Sequence, residues 1–87
     1  MTTHELKILP NYFIEVWMGR KNFELRLDDR DYKVGDNLRL LEYHKGEYTG
    51  YECNREIEYI LRDCPEYGLK EGYVILSFKG NYMTNFN

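Results

Sequence analysis

The chain reads as a small, mainly β member of the α+β class: a barrel of about five short strands with one main helix packed against it. Three observations lead there. Charged and apolar residues alternate with period two in several separate stretches, helical spacing occurs in one place, and turns bearing Gly or Pro divide the runs. With 87 residues the chain makes a single domain over 1–87, and its 43% hydrophobic and 16% aromatic content supplies a core. Closure into a barrel is expected because it removes the exposed edges that so few strands would otherwise leave.

The elements follow in order. HELKIL places Glu5 and Lys7 on one face and Leu6 and Ile8 on the other, the pattern of a short strand. Pro10 suits a first helical turn, Tyr12, Phe13, Val16 and Trp17 recur at helical spacing, and Gly19 is a natural stop. NYFIEVWMG is therefore a helix with its aromatic stripe against a sheet, and Trp17 is assigned to the core. In the second strand Phe23, Leu25 and Leu27 share one face, while Glu24, Arg26 and Asp28 share the other. DDRD is a polar break, and Gly35-Asp36 is a turn ahead of a strand through Leu38 and Leu40. HKGEYTG reads as a Gly-bearing loop with Tyr48 on it. REIEYILR follows as a strand with Ile57, Tyr59 and Leu61 on one side. Pro65 and two glycines forbid a strand in CPEYGLKEG. GYVILSF is apolar enough to be a central strand, and residues 80–87 read as a polar, flexible tail with aromatics.

Composition removes several classes of function. A net charge of −3 argues against a general nucleic-acid coat, yet residues 1–45 balance 8 Lys and Arg against 8 Asp and Glu, which leaves room for a local basic cleft. The opening MTTHELKILP lacks the apolar stretch of a signal peptide, and no run approaches the roughly 18 apolar residues of a membrane span. A cytoplasmic monomer with reduced thiols is the expectation. Two cysteines, Cys53 and Cys64, are too few for a disulfide-built scaffold, and with His4 and His44 they show no paired zinc-ligand spacing. DDRD lacks the pattern of a calcium loop. No metal and no cofactor are expected, and no nucleophilic triad or phosphate-cradling glycine loop is found. Nor does an obvious exposed apolar stripe mark a protein-docking face.

The stretch that asks for an explanation is GRKNFELR, residues 19–26. Glu24 and Arg26 lie two apart on a strand and share a side, and Lys21 immediately precedes the strand. An exposed Glu–Arg pair contributes about 0–1 kcal/mol, and on periodicity alone a solvated charged edge is the simpler reading. As a site the same residues have clear chemistry. Arg26 offers a planar fork for a phosphate or carboxylate that Glu24 can orient, and Lys21 is a point cation able to neutralise a phosphate. Glu24 can accept hydrogen bonds from an exocyclic amine of a base. Tyr48, and behind it Tyr32 and Tyr43, can stack on an unpaired base. His44, lone and near a turn, reads as solvated.

Gly19, Lys21, Glu24 and Arg26 form G-x-K-x-x-E-x-R, which resembles the signature of the ASCH domain, whose β-barrel is similar to the PUA domain of RNA-modifying proteins. VGDNLRL, the opening HELKILPNYF, the YTG and the closing GYVILSF extend the resemblance over nearly the whole chain, toward a small ASCH-like family of phages and bacterial mobile elements. The resemblance implies a PUA-like barrel and a cleft beside the helix–strand junction for RNA or a nucleotide, with Gly19, Lys21, Glu24 and Arg26 as ligand-binding residues, to which the stacking reading of the loop adds Tyr48. Some compact ASCH members deacetylate a modified cytidine, using the motif Lys, a Thr and a distant Glu. Lys21 carries over, whereas Glu24 stands where that subgroup has Thr. If the chain is an enzyme, Lys21 and Glu24 are its catalytic candidates, as a hydrolase of an acylated nucleoside. The third reading is a mobile-element factor that binds a protein and catalyses nothing.

Overall fold

In the computed structural model, which describes residues 1–79, the elements are β1 (Thr3–Ile8), α1 (Pro10–Trp17), β2 (Phe23–Leu27), β3 (Asn37–His44), β4 (Glu47–Leu61), a 3-10 turn over Pro65–Tyr67, and β5 (Tyr73–Phe78). The expected tail, 80–87, lies outside the described residues. The chain is mainly β with a helix where the aromatic spacing placed it. Pro10 occupies the first helical turn, and Gly19 takes the left-handed conformation just past the helix end, φ +78°, so the chain can turn back toward the sheet.

The strands form one sheet in the order β1-β3-β4-β5-β2. β1 runs parallel to β3, and the other neighbours are antiparallel. β4 joins the two halves: its first part pairs with β3, and Ile57–Leu61 pairs with β5. The sheet curls, so that Leu38 and Leu40 of β3 share one buried cluster with Val74 and Leu76 of β5, and Val16 brings α1 into it. Buried Arg55 fixes the helix end to β4 by donating from Nη2 to the Val16 carbonyl at 3.1 Å.

The barrel expected from the sequence does not close. No ladder joins β1 to β2, the two ends of the strand order. Side chains span the seam instead. Arg26 Nη2 donates to the Lys7 carbonyl at 2.7 Å, and Arg30 Nη1 donates to the Glu5 carbonyl at 2.7 Å. These are alternate carbonyls of β1, and guanidinium groups sit where a neighbouring strand would present its N–H groups.

Three local expectations are also corrected. HKGEYTG is not a loop: Lys45 and Gly46, both with positive φ, make a tight turn, and the strand resumes at Glu47. Tyr48 therefore sits on a strand, opposite Tyr43 in the β3–β4 ladder. An irregularity in β4 between Ile57 and Tyr59 breaks the alternation, so Ile57 is buried while Tyr59 is exposed. In β2 the charged face points inward. Glu24 is 3% exposed, whereas Phe23, Leu25 and Leu27 are 45–54% exposed. With Tyr59 on β4 these residues make an exposed, mainly apolar outer face, crossed on β5 by Ile75 opposite Leu25 and by Ser77 opposite Phe23 and Tyr59, the stripe the sequence was read as lacking.

The start of β1 is clamped by a buried pair, His4 Nε2 to Asp36 Oδ2 at 2.8 Å, with the His4 ring against Tyr32. Asp36 also accepts the backbone N–H groups of Thr2 and Lys33, both at 3.1 Å. The His4 hydrogen bond above all, then the Thr2 N–H, holds the Asp36 carboxyl below its ordinary value. A carboxyl depressed in the folded state contributes stability above its unfolded pKa and loses it as pH falls through the folded one. Asp36→Asn is therefore expected to lower the melting temperature at neutral pH, and the gap from wild type to narrow below about pH 4. Thermal denaturation across that range checks it.

Candidate functional site

The inward charges of β2 meet the end of the helix. The Glu15 carbonyl accepts the backbone N–H groups of both Arg20, at 2.8 Å, and Lys21, at 2.9 Å. This closing turn delivers the Lys21 side chain onto β2. Its Nζ donates to the Phe23 carbonyl at 2.7 Å and to Glu24 Oε2. From the other side Arg26 donates to Glu24 Oε1 through Nε at 3.0 Å and Nη2 at 2.8 Å. One buried carboxylate thus lies between two cations. The Glu24 side chain is 4% exposed, that of Lys21 17% and that of Arg26 25%.

These three groups line an open cleft of about 480 Å³, together with Lys7, Ile8 and Leu9 at the end of β1, Tyr12 on α1, and Phe23 and Leu25 on β2. Most of that wall is apolar, with a few convergent polar groups, the usual composition of a small-ligand site. The donors that remain decide what it can hold. Among the described residues, Lys21 keeps one N–H and Arg26 keeps its Nη1 group without a protein acceptor. Glu24 already accepts three bonds and faces its partners. The donors without a protein acceptor are therefore cationic and suit phosphate or carbonyl oxygens, and the Phe23 and Tyr12 ring centres lie 5.0 and 5.8 Å from Lys21 Nζ. Glu24 positions the cations; the direct contact with a base amine expected from the sequence is not its first role here.

Of the residues singled out in the sequence, Lys21, Glu24 and Arg26 come together. Gly19 contributes the backbone turn and does not line the cleft. Tyr48 lies outside it, in an adjoining hollow that shares Lys7 and Arg26. Tyr32 is buried against His4, and Tyr43 packs edge-on to Tyr48 at 5.0 Å. The reading missed Lys7 and Tyr12. Lys7 looked like a routine outward strand residue, and Tyr12 like part of the helix stripe, although it is 49% exposed.

Beneath the cleft, Cys53 faces Leu40 across the β3–β4 ladder. Burial pushes its thiol up to about 11, opposed by the Arg55 charge and reinforced by that of Glu24. A thiol this protonated is a poor nucleophile at neutral pH. Cys53 is expected to resist iodoacetamide at about pH 8 in the folded protein and to react once denaturant is added. Mass spectrometry of the alkylated peptides reads this directly.

The sequence from Thr3, the first residue of β1, to Phe78, the last of β5, matches the family described as Domain of unknown function (DUF3850), residues 3–78. The chain belongs to this DUF3850 family. It is also similar to a protein of Escherichia phage P2 described as "Uncharacterized 12.9 kDa protein in GpA 3'region", 38% identical over 74 residues. That match covers 84% of this chain and 64% of the phage protein. The DUF3850 match takes in the whole sheet, the helix and every residue lining the cleft. Among the described residues, no helix is long and apolar enough to cross a membrane.

Proposed function

We propose that this DUF3850 chain is an ASCH-like, PUA-like module that binds a nucleotide or RNA in the cleft between the β1–α1 corner and β2. One observation carries the reading: a buried carboxylate, Glu24, held between Lys21 and Arg26 at the floor of an open, largely apolar hollow. A charged strand face evolved only for solubility has no reason to turn inward, because burying charge costs several kcal/mol per ion unless partners compensate. Here the compensation is nearly complete, and it leaves cationic donors without a protein acceptor next to aromatic rings. Phosphate on Lys21 and Arg26, with a base against Tyr12 and Phe23, uses the unpaired donors and the two rings of the wall. The likeness of G-x-K-x-x-E-x-R to the ASCH motif supports the same assignment.

The test is purification under low salt, the absorbance ratio at 260 and 280 nm, and mass spectrometry of whatever nucleotide is released on denaturation. A nucleotide or RNA fragment retained by wild type and lost from Lys21→Met supports the reading. Protein free of nucleotide that also fails to take up any nucleoside monophosphate in titration removes it. The same preparations decide whether the cleft does chemistry, since acetylcytidine turnover above the Lys21→Met background would make it a hydrolase.

A second reading is favoured by the apolar face of Phe23, Leu25, Leu27 and Tyr59. Contiguous exposed apolar surface of this kind marks interaction sites on small proteins. The chain would then be a factor that engages another protein. A pull-down in which one stoichiometric protein is captured, and is lost with Leu25→Asp, supports it; capture unaffected by Leu25→Asp counts against it.

A further inference from the structure

We infer that the cleft is one end of a longer track for a single strand of nucleic acid, running from Lys21 past Arg26 and over the β1–β2 seam to Arg30 and Tyr48. This rests on the nucleotide-binding reading above and narrows its ligand to an oligonucleotide. A second hollow of about 330 Å³ adjoins the cleft, lined by Glu5, Lys7, Arg26, Arg30 and Tyr48 among others, and the two share Lys7 and Arg26. A ligand filling the first can continue into the second without leaving the surface.

The seam sets the spacing of the cations. Arg26 and Arg30 are anchored to the carbonyls of Lys7 and Glu5, two residues apart on β1, which is about 7 Å along a strand. That is close to the separation of neighbouring phosphates on an extended nucleic-acid strand. Both guanidiniums keep free N–H groups among the described residues, since Arg30 donates there through Nη1 alone. Lys7, which lines both hollows, has its Nζ 4.5 Å from the Tyr43 ring centre and 5.9 Å from that of Tyr48, with no carboxylate partner among the described residues. Tyr48 is 57% exposed although Tyr43 and Lys7 contact its ring, so part of that ring remains open to a base.

The net negative charge of the chain does not oppose this. Of the acids near the track, Glu24 is held by Lys21 and Arg26, Glu5 shares Arg39 with Glu52, Asp28 pairs with Arg62 and Asp31 with Lys33, which leaves Asp29 beside Arg30 without an ion-pair partner among the described residues. What remains along the seam is Lys7, Arg30 and the free donors of Lys21 and Arg26, a local cationic row in an acidic protein.

The experiment compares mononucleotide, dinucleotide and tetranucleotide of mixed sequence, as RNA and as DNA, by competition against a labelled tetranucleotide in fluorescence anisotropy. Affinity for the tetranucleotide is expected to exceed that for the mononucleotide by about tenfold or more in at least one of the two series. Arg30→Gln and, separately, Tyr48→Ala are each expected to collapse that ratio. Thermal denaturation confirms that each variant is folded, and two variants on different elements keep the test open if one is not. A mononucleotide that binds as tightly as the tetranucleotide overturns the track and leaves the nucleotide cleft standing, as does a ratio untouched by both variants. Equally tight competition by a polyglutamate of matched charge also overturns it. Binding of no nucleotide of any length overturns both.

Discussion

Glu24→Gln is expected to lower the stability of this protein by about 2–4 kcal/mol, the largest effect of any single change in the cleft. The amide keeps the shape of the side chain and removes its charge. Lys21 and Arg26 then face each other across a 4% exposed site with no compensating anion. Breaking a buried ion pair costs roughly 3–5 kcal/mol, and the estimate is reduced because both cations retain some contact with water. For a domain of this size that corresponds to a fall in melting temperature of very roughly 10–25 °C. Glu15→Gln is the internal control. It removes the other Glu–Arg pair near this corner, Arg20 to Glu15 at 2.6 Å, whose side chains are 57% and 40% exposed. Solvent screens that pair, so its loss is expected to shift the melting temperature far less. Thermal denaturation of both variants reads the contrast, and equal small shifts would mean that the Glu24 cluster is solvated after all.

Arg26→Ala is expected to act on both stability and binding. It strips Glu24 Oε1 of the two donors it has and releases the Lys7 carbonyl on the seam. An orphaned buried acceptor costs about 1–3 kcal/mol, so the variant is expected to lose about that much stability and to melt at a lower temperature. Nucleotide affinity is expected to fall by about a hundredfold, the scale for losing a charge-assisted hydrogen-bonding partner. Arg26→Lys separates the two roles. It restores the charge beside Glu24 and with it much of the stability, yet the single nitrogen of a lysine does not reproduce the planar fork, whose separate nitrogens face Glu24, the Lys7 carbonyl and a phosphate in different directions. Stability recovered without affinity is the expected outcome, measured by thermal denaturation and titration on the same protein. Affinity recovered in full by Arg26→Lys would mean that the fork geometry is irrelevant.

The sequence carried the class of the fold and the identity of the central cluster, for traceable reasons. Alternation in HELKIL and helical spacing in NYFIEVW are local signals, and the structure places β1 and α1 on them. Gly19 and Gly35 marked turns because both need positive φ. Other features were out of reach, one for want of a strong local signal and the rest because they depend on tertiary placement. Periodicity shows that Glu24 and Arg26 share a face but not which face is inside; polar-out is the ordinary rule, and here the apolar face of β2 is the outer one. Lys45-Gly46 is not one of the strongest hairpin dipeptides, so a tight turn was read as a loop and Tyr48 was misplaced onto it. The role of Lys7 in the cleft arises from a seam between strands far apart in sequence. Arg30, read within a solvated polar break, reaches that seam for the same reason.

Backbone amide NMR titration with the four nucleoside monophosphates is the direct test of the Lys21–Glu24–Arg26 cluster as a recognition site. Saturable chemical-shift changes are expected, concentrated in 7–12 and 21–26 and absent in Arg26→Ala. Amides in those two segments that stay unmoved while all four nucleotides reach millimolar concentration would contradict that role.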